Sequence, residues 1–561
     1  MHNCEKYDEV TNSLVDILVI GGGVNGLAVA REAQVRGWST VVVDAEDFGA
    51  GTSGASSRLV HGGIRYLENL EFHLVRESLK ERERLLFTAP HLVKPFALLI
   101  PFYRRNRRNS ITLRLGMFLY DVLSFDKTTP RHRVFSKRRV EELYPGLAQK
   151  DLSGATMYYD AQAPNTERLC IEQALDIAAL GGTALNHCRV TGVAKSGSHL
   201  TVQLKDPLTG YTFSQNAGVV VNAAGPWVDD VLGVGPAGSP RLIGGSKGSH
   251  FTVGPFRGAP TTGVHFEAVS DGRAILVLPL PDGNYLIGAT DIFFEGNPGD
   301  AVMSDEEITY LLDEVNQLIP EARLARTDVL HSVSGVRPLP FSPKARTTAQ
   351  VSRSHHLVAH PTVPGLFSVT GGKLTTHRAL GEMVISKLEK VGRTRGPYSA
   401  IKRLLAGRTA STRKLKLPGA RCADWTGFKS QFVSNSQLPT VTARRLLDLY
   451  GVRASEVERL SRAHASWGQP LPGHPDSLAA EVIFAIRTEF ARTLTDIVAR
   501  RLLLAWSNDA GLDSIEAVAA LAATELSWTP AETEQELQSY REWIRLRRPA
   551  AYENLSPQPI S

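Results

Sequence analysis

The 561-residue chain is 42% hydrophobic and 21% charged, with 48 glycines and a net charge of +6. Its length exceeds one ordinary core and predicts two or three domains of a soluble globular protein. No apolar run reaches the about 18 residues of a transmembrane helix, Met1 to Asn12 lack a signal-peptide core, and Cys4, Cys170, Cys188 and Cys422 show no CxxC spacing. A membrane-spanning or secreted chain, a disulfide framework and a metal site are therefore not expected, and a cytoplasmic protein with reduced thiols is. The charge is uneven: residues 101–140 carry eleven Lys or Arg against two Asp, a local balance of +9, so the remainder sums to −3. That asymmetry predicts an anionic surface or substrate as partner. Nucleic acid is the competing partner, but no recognition motif accompanies the charge.

In chain order, Asp16-Ile-Leu-Val-Ile20 predicts a strand that runs into Gly21-Gly22-Gly23-Val24-Asn25-Gly26 and then a helix over Leu27 to Arg36. This is G-x-G-x-x-G between strand and helix: Gly21 for the tight turn, Gly23 for backbone approach to a pyrophosphate, Gly26 for close helix–strand packing. The helix N-terminus adds amides and a positive dipole end. A second strand, Thr40 to Val43, ends in Asp44, 18 residues after Gly26, where an acid accepts hydrogen bonds from adenosine ribose hydroxyls. Together these predict a dinucleotide site. Glycine spacing does not decide between FAD and NAD. The early position of the motif and the hydroxyl-rich Thr52-Ser-Gly-Ala-Ser-Ser57 that follows favour FAD.

Pro95-Phe-Ala-Leu-Leu-Ile-Pro-Phe-Tyr103 is apolar, followed by Arg104, Arg105, Arg107 and Arg108 and then by Leu113, Leu115, Met117, Phe118 and Leu119. Read alone, this is either a lipid-headgroup surface or a solvated loop between buried elements. Further strands are predicted at Gly218–Asn222, Ala274–Pro279 and Tyr285–Gly288. Gly365 to Thr376 is another strand entering a glycine turn and a helix, able to present amides to a second part of a long cofactor. Lys402 to Gly419 is basic and polar and reads as a linker. Beyond about Leu438 the pattern is helical, and Ala479 to Trp506 carries an apolar stripe broken into two helices. The expected domains are residues 1–400, a linker over 401–430 and a helical domain over 431–561.

Ordered blocks spread over residues 16 to 380 resemble the FAD-dependent glycerol-3-phosphate dehydrogenases, within the D-amino-acid-oxidase-like flavoproteins. They are Gly21 to Gly26; Thr52 to Glu68, which contains His61-Gly-Gly-Ile-Arg65-Tyr66; Val221 to Val228; Lys247-Gly-Ser-His250; Gly288-Ala-Thr-Asp291; Ser334-Gly-Val-Arg-Pro338; and Gly371-Gly-Lys-Leu-Thr-Thr376. The resemblance implies an α/β fold, in which a Rossmann-type FAD-binding domain is interleaved with an α+β substrate domain and followed by an all-α C-terminal domain. It implies non-covalent FAD held by Gly21, Gly23, Asn25, Gly26, Asp44, Thr52, Ser53, Ser56, Ser57, Gly225, Gly371, Gly372, Leu374 and Thr375. It implies oxidation of sn-glycerol 3-phosphate to dihydroxyacetone phosphate by hydride transfer to FAD. Electrons then pass to a membrane quinone from a peripheral position on an anionic membrane surface. A homodimer is the assembly it suggests. A phosphate dianion calls for cations, and the blocks place Arg65, Tyr66, Thr290, Arg337 and Lys373 around substrate. His61 and His250 are the candidate bases, and His250 has flavin contact as its other role. An oxygen-using oxidase and a non-catalytic flavin-binding, membrane-associated protein are the alternatives. Two departures stand out: His377 where the family pattern has tyrosine, and Asn165 and Thr166 where it has acids.

Overall fold

The computed structural model describes residues 7, 11, 13–67, 71–106, 110–233, 241–345, 347–352, 354–390 and 411–549. The strand Leu14–Ile20 lies at the centre of the first sheet because its Ile17, Leu18 and Val19 are buried on both faces, as parallel strands require. Parallel neighbours flank it: Thr40–Val43 and then Thr183–Leu185 on one side, Thr212–Asn222 and then Leu366–Thr370 on the other. Antiparallel His356–Ala359 closes one edge, and the hairpin Arg189–Ser196/His199–Lys205 is added through Thr212–Asn222. The helices Val24–Val35, Thr166–Ala179 and His377–Lys390 cover one face around a core of Leu27, Val29, Ala174, Ile177, Leu380 and Val384.

The second sheet has ten strands and is mostly antiparallel. Its long strand Ile243–Val253 pairs on one side with Val329–Pro340, in a register that sets Ser246 opposite Arg337. The helix Asp305–Leu318 packs on this sheet, starting at a capping box in which Ser304 and Glu307 satisfy each other's amides. The apolar run Pro95–Tyr103 belongs here. It forms the strand Lys94–Tyr103, which pairs along its length with Leu152–Gln162, and Leu98 and Leu99 are fully buried. Its apolar side chains thus serve the core and not a membrane face. The exposed apolar residues come from the next helix, Ser110–Leu123. Ile111 is 75%, Leu115 67% and Phe118 62% exposed, with Phe125 at 79% just beyond, whereas Met117 is buried. Arg107 and Arg108 lie outside the described residues.

Within the stretch expected as a linker, residues 401–410 lie outside the described residues, and 411–424 is laid down on the N-terminal part. The Thr412 amide and hydroxyl donate to the Glu32 carboxylate at 3.0 and 2.5 Å, Leu417 N–H donates to Thr88 O, and Gly419 N–H donates to Glu172 Oε2. Buried Leu417 and Ala420 explain why this polar-looking segment packs. The following domain is helical except for the ribbon Pro470–Leu471/His474–Leu478. Its expected apolar stripe breaks after Ala479–Thr488 at Phe490, where φ is +63°, and resumes in a π-turn at Asp496–Arg501.

Candidate functional site

A continuous cavity of about 1140 Å3 runs between the two sheets. At one end its wall takes in Gly21, Gly23, Asn25 and Asp44, then Thr52, Ser53, Ser56 and Ser57, and across from them Gly225. Gly372, Leu374 and Thr375 close the wall from the far strand–helix turn. The turn is as tight as the glycine spacing implies: a Cβ on Gly26 would lie 1.9 Å from the Gly21 carbonyl oxygen. Gly26 therefore serves packing and does not line the wall. Several polar groups already have partners within the fold. Asp44 Oδ2 accepts the Gly22 amide at 2.5 Å, Ser53 Oγ accepts the Val24 amide at 3.0 Å, and Thr52 Oγ1 donates to Val336 O at 2.7 Å. The helix thus has less free amide than expected, since its first N–H is capped by Ser53. Ser56 Oγ likewise accepts the Arg58 amide. The Gly371 amide donates to Pro338 O at 2.8 Å, and Gly372, not Gly371, stands in the cavity wall.

The other end is built from side chains. His61, His250, Thr290, Arg337 and Lys373 share this wall, though they come from five separate segments. Two crossings bring them in. His61 N–H donates to Thr375 Oγ1 at 3.0 Å, and Gly335 passes so close over the cofactor loop that a Cβ there would meet Ala55 at 2.7 Å. Arg337 lies at 3.2 Å from both Asp291 Oδ1 and Ser246 Oγ, and its other Nη reaches Thr290 O at 3.4 Å. Lys373 Nζ donates to Ser78 Oγ at 3.5 Å, and its charge acts on Glu77. Thr290 is anchored within the fold. Its hydroxyl donates to Glu307 at 2.6 Å and accepts the Ser249 amide at 2.9 Å, so it is engaged in the wall. Arg65 and Tyr66 fall in the turn Ile64–Leu67, and their side chains lie outside the described residues.

His250 is buried, and neither ring nitrogen has a hydrogen-bond partner. Burial first, and then the charges of Arg337 and Arg58, push its pKa down to about 3. It is therefore a neutral imidazole at physiological pH and a weak base, suited to hydrogen bonding more than to proton abstraction. His377 lies off the cavity wall. Its Nδ1 faces Leu374 O at 2.6 Å at the start of its helix, and burial depresses its pKa to about 4. Asn165 merely precedes the helix Thr166–Ala179 without capping it. Sequence reasoning missed Asp291 as a partner, Arg273 and the cofactor-end residues Val190 and Thr191 in the wall, and Glu307 behind it as the partner of Thr290. The signal available for the last two was a short β-branched strand, whose preceding residue, Cys188, donates its amide to Asp44 O at 2.6 Å.

Residues 16–386 match the FAD dependent oxidoreductase family, and residues 410–533 match the C-terminal domain of alpha-glycerophosphate oxidase. The glycerol-3-phosphate dehydrogenase of Synechocystis sp. is 38% identical over 554 residues, covering 96% of this chain and 98% of the relative. The chain belongs to the FAD-dependent glycerol-3-phosphate dehydrogenases. The human mitochondrial glycerol-3-phosphate dehydrogenase is 32% identical over 94% of this chain and 73% of its own length. A glycerol-3-phosphate dehydrogenase from Bacillus halodurans, solved in complex with FAD, superposes with a TM-score of 0.79 at 26% identity over 98% of both chains. FAD is the cofactor of this family member, and the cavity fits it. The buried Asn25 Oδ1 has no partner, Asp44 stands at the end of its strand, and the cavity is large enough for a dinucleotide with space for a small substrate.

Proposed function

We propose that the enzyme oxidises sn-glycerol 3-phosphate to dihydroxyacetone phosphate and passes the electrons to a membrane quinone. The observation that carries this is one cavity in which a dinucleotide cradle meets Arg337, Lys373 and a neutral buried imidazole, in a chain that aligns over 96% of its length with the Synechocystis glycerol-3-phosphate dehydrogenase. Bound FAD supplies the acceptor for the hydride that leaves C2 of the substrate. Arg337 and Lys373 hold the phosphate dianion, an arrangement that Asp291 and Ser246 orient by fixing the guanidinium plane. His250 offers a hydrogen bond without charge, which leaves half-buried His61 as the better-placed acceptor of the hydroxyl proton. Arg65 and Tyr66, in the same block as His61, complete the substrate set. Adding sn-glycerol 3-phosphate anaerobically should bleach the yellow holoprotein. Persistence of the oxidised spectrum would sink the reading and favour a non-catalytic flavin-binding role.

The match to the C-terminal domain of alpha-glycerophosphate oxidase favours a second reading, with oxygen as the acceptor. Both readings share the bleaching step and part on reoxidation. Recovery by a quinone analogue many times faster than by oxygen supports the dehydrogenase, and the reverse supports the oxidase. The membrane position rests on the helix Ser110–Leu123, whose Ile111, Leu115 and Phe118 form one exposed apolar face, preceded in the chain by the exposed Arg104 and Arg105. Among the described residues no helix is long and apolar enough to cross a membrane, so contact through this face would be peripheral. Sedimentation with anionic vesicles should lose most of the protein from the pellet in an Ile111/Leu115/Phe118→Ser variant. Pelleting equal to the parent would remove this face as the anchor.

A further inference from the structure

The turn between the second strand of the first sheet and the hydroxyl-rich loop, Asp47-Phe48-Gly49, lies against the glycine loop. Gly49 N–H donates to Gly22 O at 3.0 Å, and the Phe48 ring is so near that a Cβ on Gly22 would lie 2.5 Å from it. The same turn is gripped from behind by the C-terminal domain. Asp47 is wholly buried. Its Oδ2 accepts Arg500 Nε at 2.7 Å and Arg501 Nη1 at 2.5 Å, and its Oδ1 accepts Arg501 Nη2 at 2.9 Å and Asn186 Nδ2 at 2.8 Å. The Phe490 ring meets Phe48 edge-on at 5.5 Å. Both arginines are themselves fixed: Arg501 Nε donates to Glu489 O at 2.8 Å, and Arg500 Nη2 donates to Asp496 at 2.6 Å. Asp47, His187 and Asp496 also have the spacing of a metal cluster. The two guanidiniums that occupy this carboxylate pair already supply its positive charge, so the cluster reads as an ionic joint.

We infer that the helical C-terminal domain is a clamp on the cofactor site, with Arg500, Arg501 and Phe490 as positioning residues that hold Asp47-Phe48-Gly49 against the glycine loop and so retain FAD. The inference rests on the cofactor site alone and is independent of the substrate. A buried charge held by four hydrogen bonds fixes a turn far more firmly than apolar contact does, since any displacement leaves charge uncompensated. The turn sits between two stretches that line the cavity, Asp44 to Glu46 and Gly49 to Ser53, so its position is transmitted to both. A second interdomain joint provides the control. Arg492 Nη2 donates to Asp206 at 2.8 Å and Arg492 Nη1 to the Tyr7 hydroxyl at 3.2 Å, and neither Asp206 nor Tyr7 touches the cavity.

The test follows release of FAD from diluted holoenzyme by the rise of free-flavin fluorescence, with the visible flavin band recorded beforehand. Asp47→Asn should release FAD at least about tenfold faster than the parent and shift the band's fine structure, whereas Arg492→Met should stay within about twofold. Should Asp47→Asn fail to fold, Phe490→Leu, which keeps an apolar residue but withdraws the ring edge from Phe48, takes its place. Release from the loop variant at the parental rate overturns the clamp. So does release from Arg492→Met as fast as from the loop variant, because that would make retention a matter of general interdomain stability.

Discussion

The two ends of the cavity are built on different principles. The cofactor end is made largely of backbone: a strand, a glycine loop and a helix within residues 14 to 35, with one acid from the next strand. The other end is made of side chains from segments hundreds of residues apart, and its hydrogen-bonded members are held by an acid or hydroxyl from another segment. Arg337 is held by Asp291 and Ser246, and Thr290 by Glu307. A backbone site depends on whether chains can approach, which is a steric matter with little middle ground. A side-chain site depends on charge and orientation, which change by degrees.

The largest effect is therefore expected at the cofactor end. Gly26→Ala puts a methyl 1.9 Å from the Gly21 carbonyl oxygen, and strand and helix must part to admit it. The expected result is a protein destabilised by about 3 kcal/mol and purified without flavin. Absorbance at the flavin band relative to protein measures this directly, and parental flavin content would break the comparison. A graded effect is expected at the substrate end. Lys373→Ala should retain FAD yet slow anaerobic flavin reduction by about 10- to 100-fold, corresponding to about 1.5–3 kcal/mol for a lost charge-assisted contact. Stopped-flow rates equal to the parent would take Lys373 out of the substrate site.

The same contrast governs what the sequence reveals. The glycine spacing, Asp44 and the flanking strands are local signals, and the structure places all six predicted strands where the alternation of apolar and turn residues sets them. The cationic residues around Arg337 were legible as residues but not as an arrangement. Their partners are fixed by strand register, as with Ser246 opposite Arg337, and no local pattern encodes that pairing. The run Pro95 to Tyr103 shows the limit on the apolar side: a strand buried on both faces and a lipid-facing segment carry the same composition, and only its pairing with Leu152–Gln162 separates them. Arg168 is a still more distant case. It is wholly buried, with a bidentate pair to Glu489, 321 residues further along the chain.

A smaller change sharpens the substrate end. Asp291→Asn keeps an oxygen for Arg337 and Ser246 but withdraws a negative charge that competes with the incoming phosphate. Asp291→Ala withdraws the orienting contact as well. The first should lower KM for sn-glycerol 3-phosphate and the second raise it, each by about fivefold, the scale of about 1 kcal/mol per hydrogen bond. Steady-state kinetics at constant ionic strength decide it, and changes in the same direction would mean that Asp291 does not act through the charge and position of Arg337.

An effect of the same size separates the two ends by pH. Burial raises the Asp44 pKa to about 6, against the pull of the amides of Glu46 and Gly22, while it lowers that of His250 to about 3. Between pH 5 and 8 Asp44 therefore changes charge and His250 does not. For Asp44 alone, a folded pKa above the ordinary carboxylate value means that its ionisation costs the cofactor-free fold stability as pH rises through about 6. Binding works in the opposite sense, because ribose hydroxyls donate more strongly to a carboxylate than to a carboxylic acid. FAD should accordingly be released faster at pH 5 than at pH 7.5, by about fivefold if one charge-assisted hydrogen bond is exchanged for a neutral one worth about 1 kcal/mol less. Asp44→Asn should release FAD at a faster rate that no longer depends on pH over this range, whereas His250→Asn should leave the pH dependence of release unchanged. A flat profile in the parent, or one abolished by His250→Asn, would place the titrating group at the wrong end of the cavity.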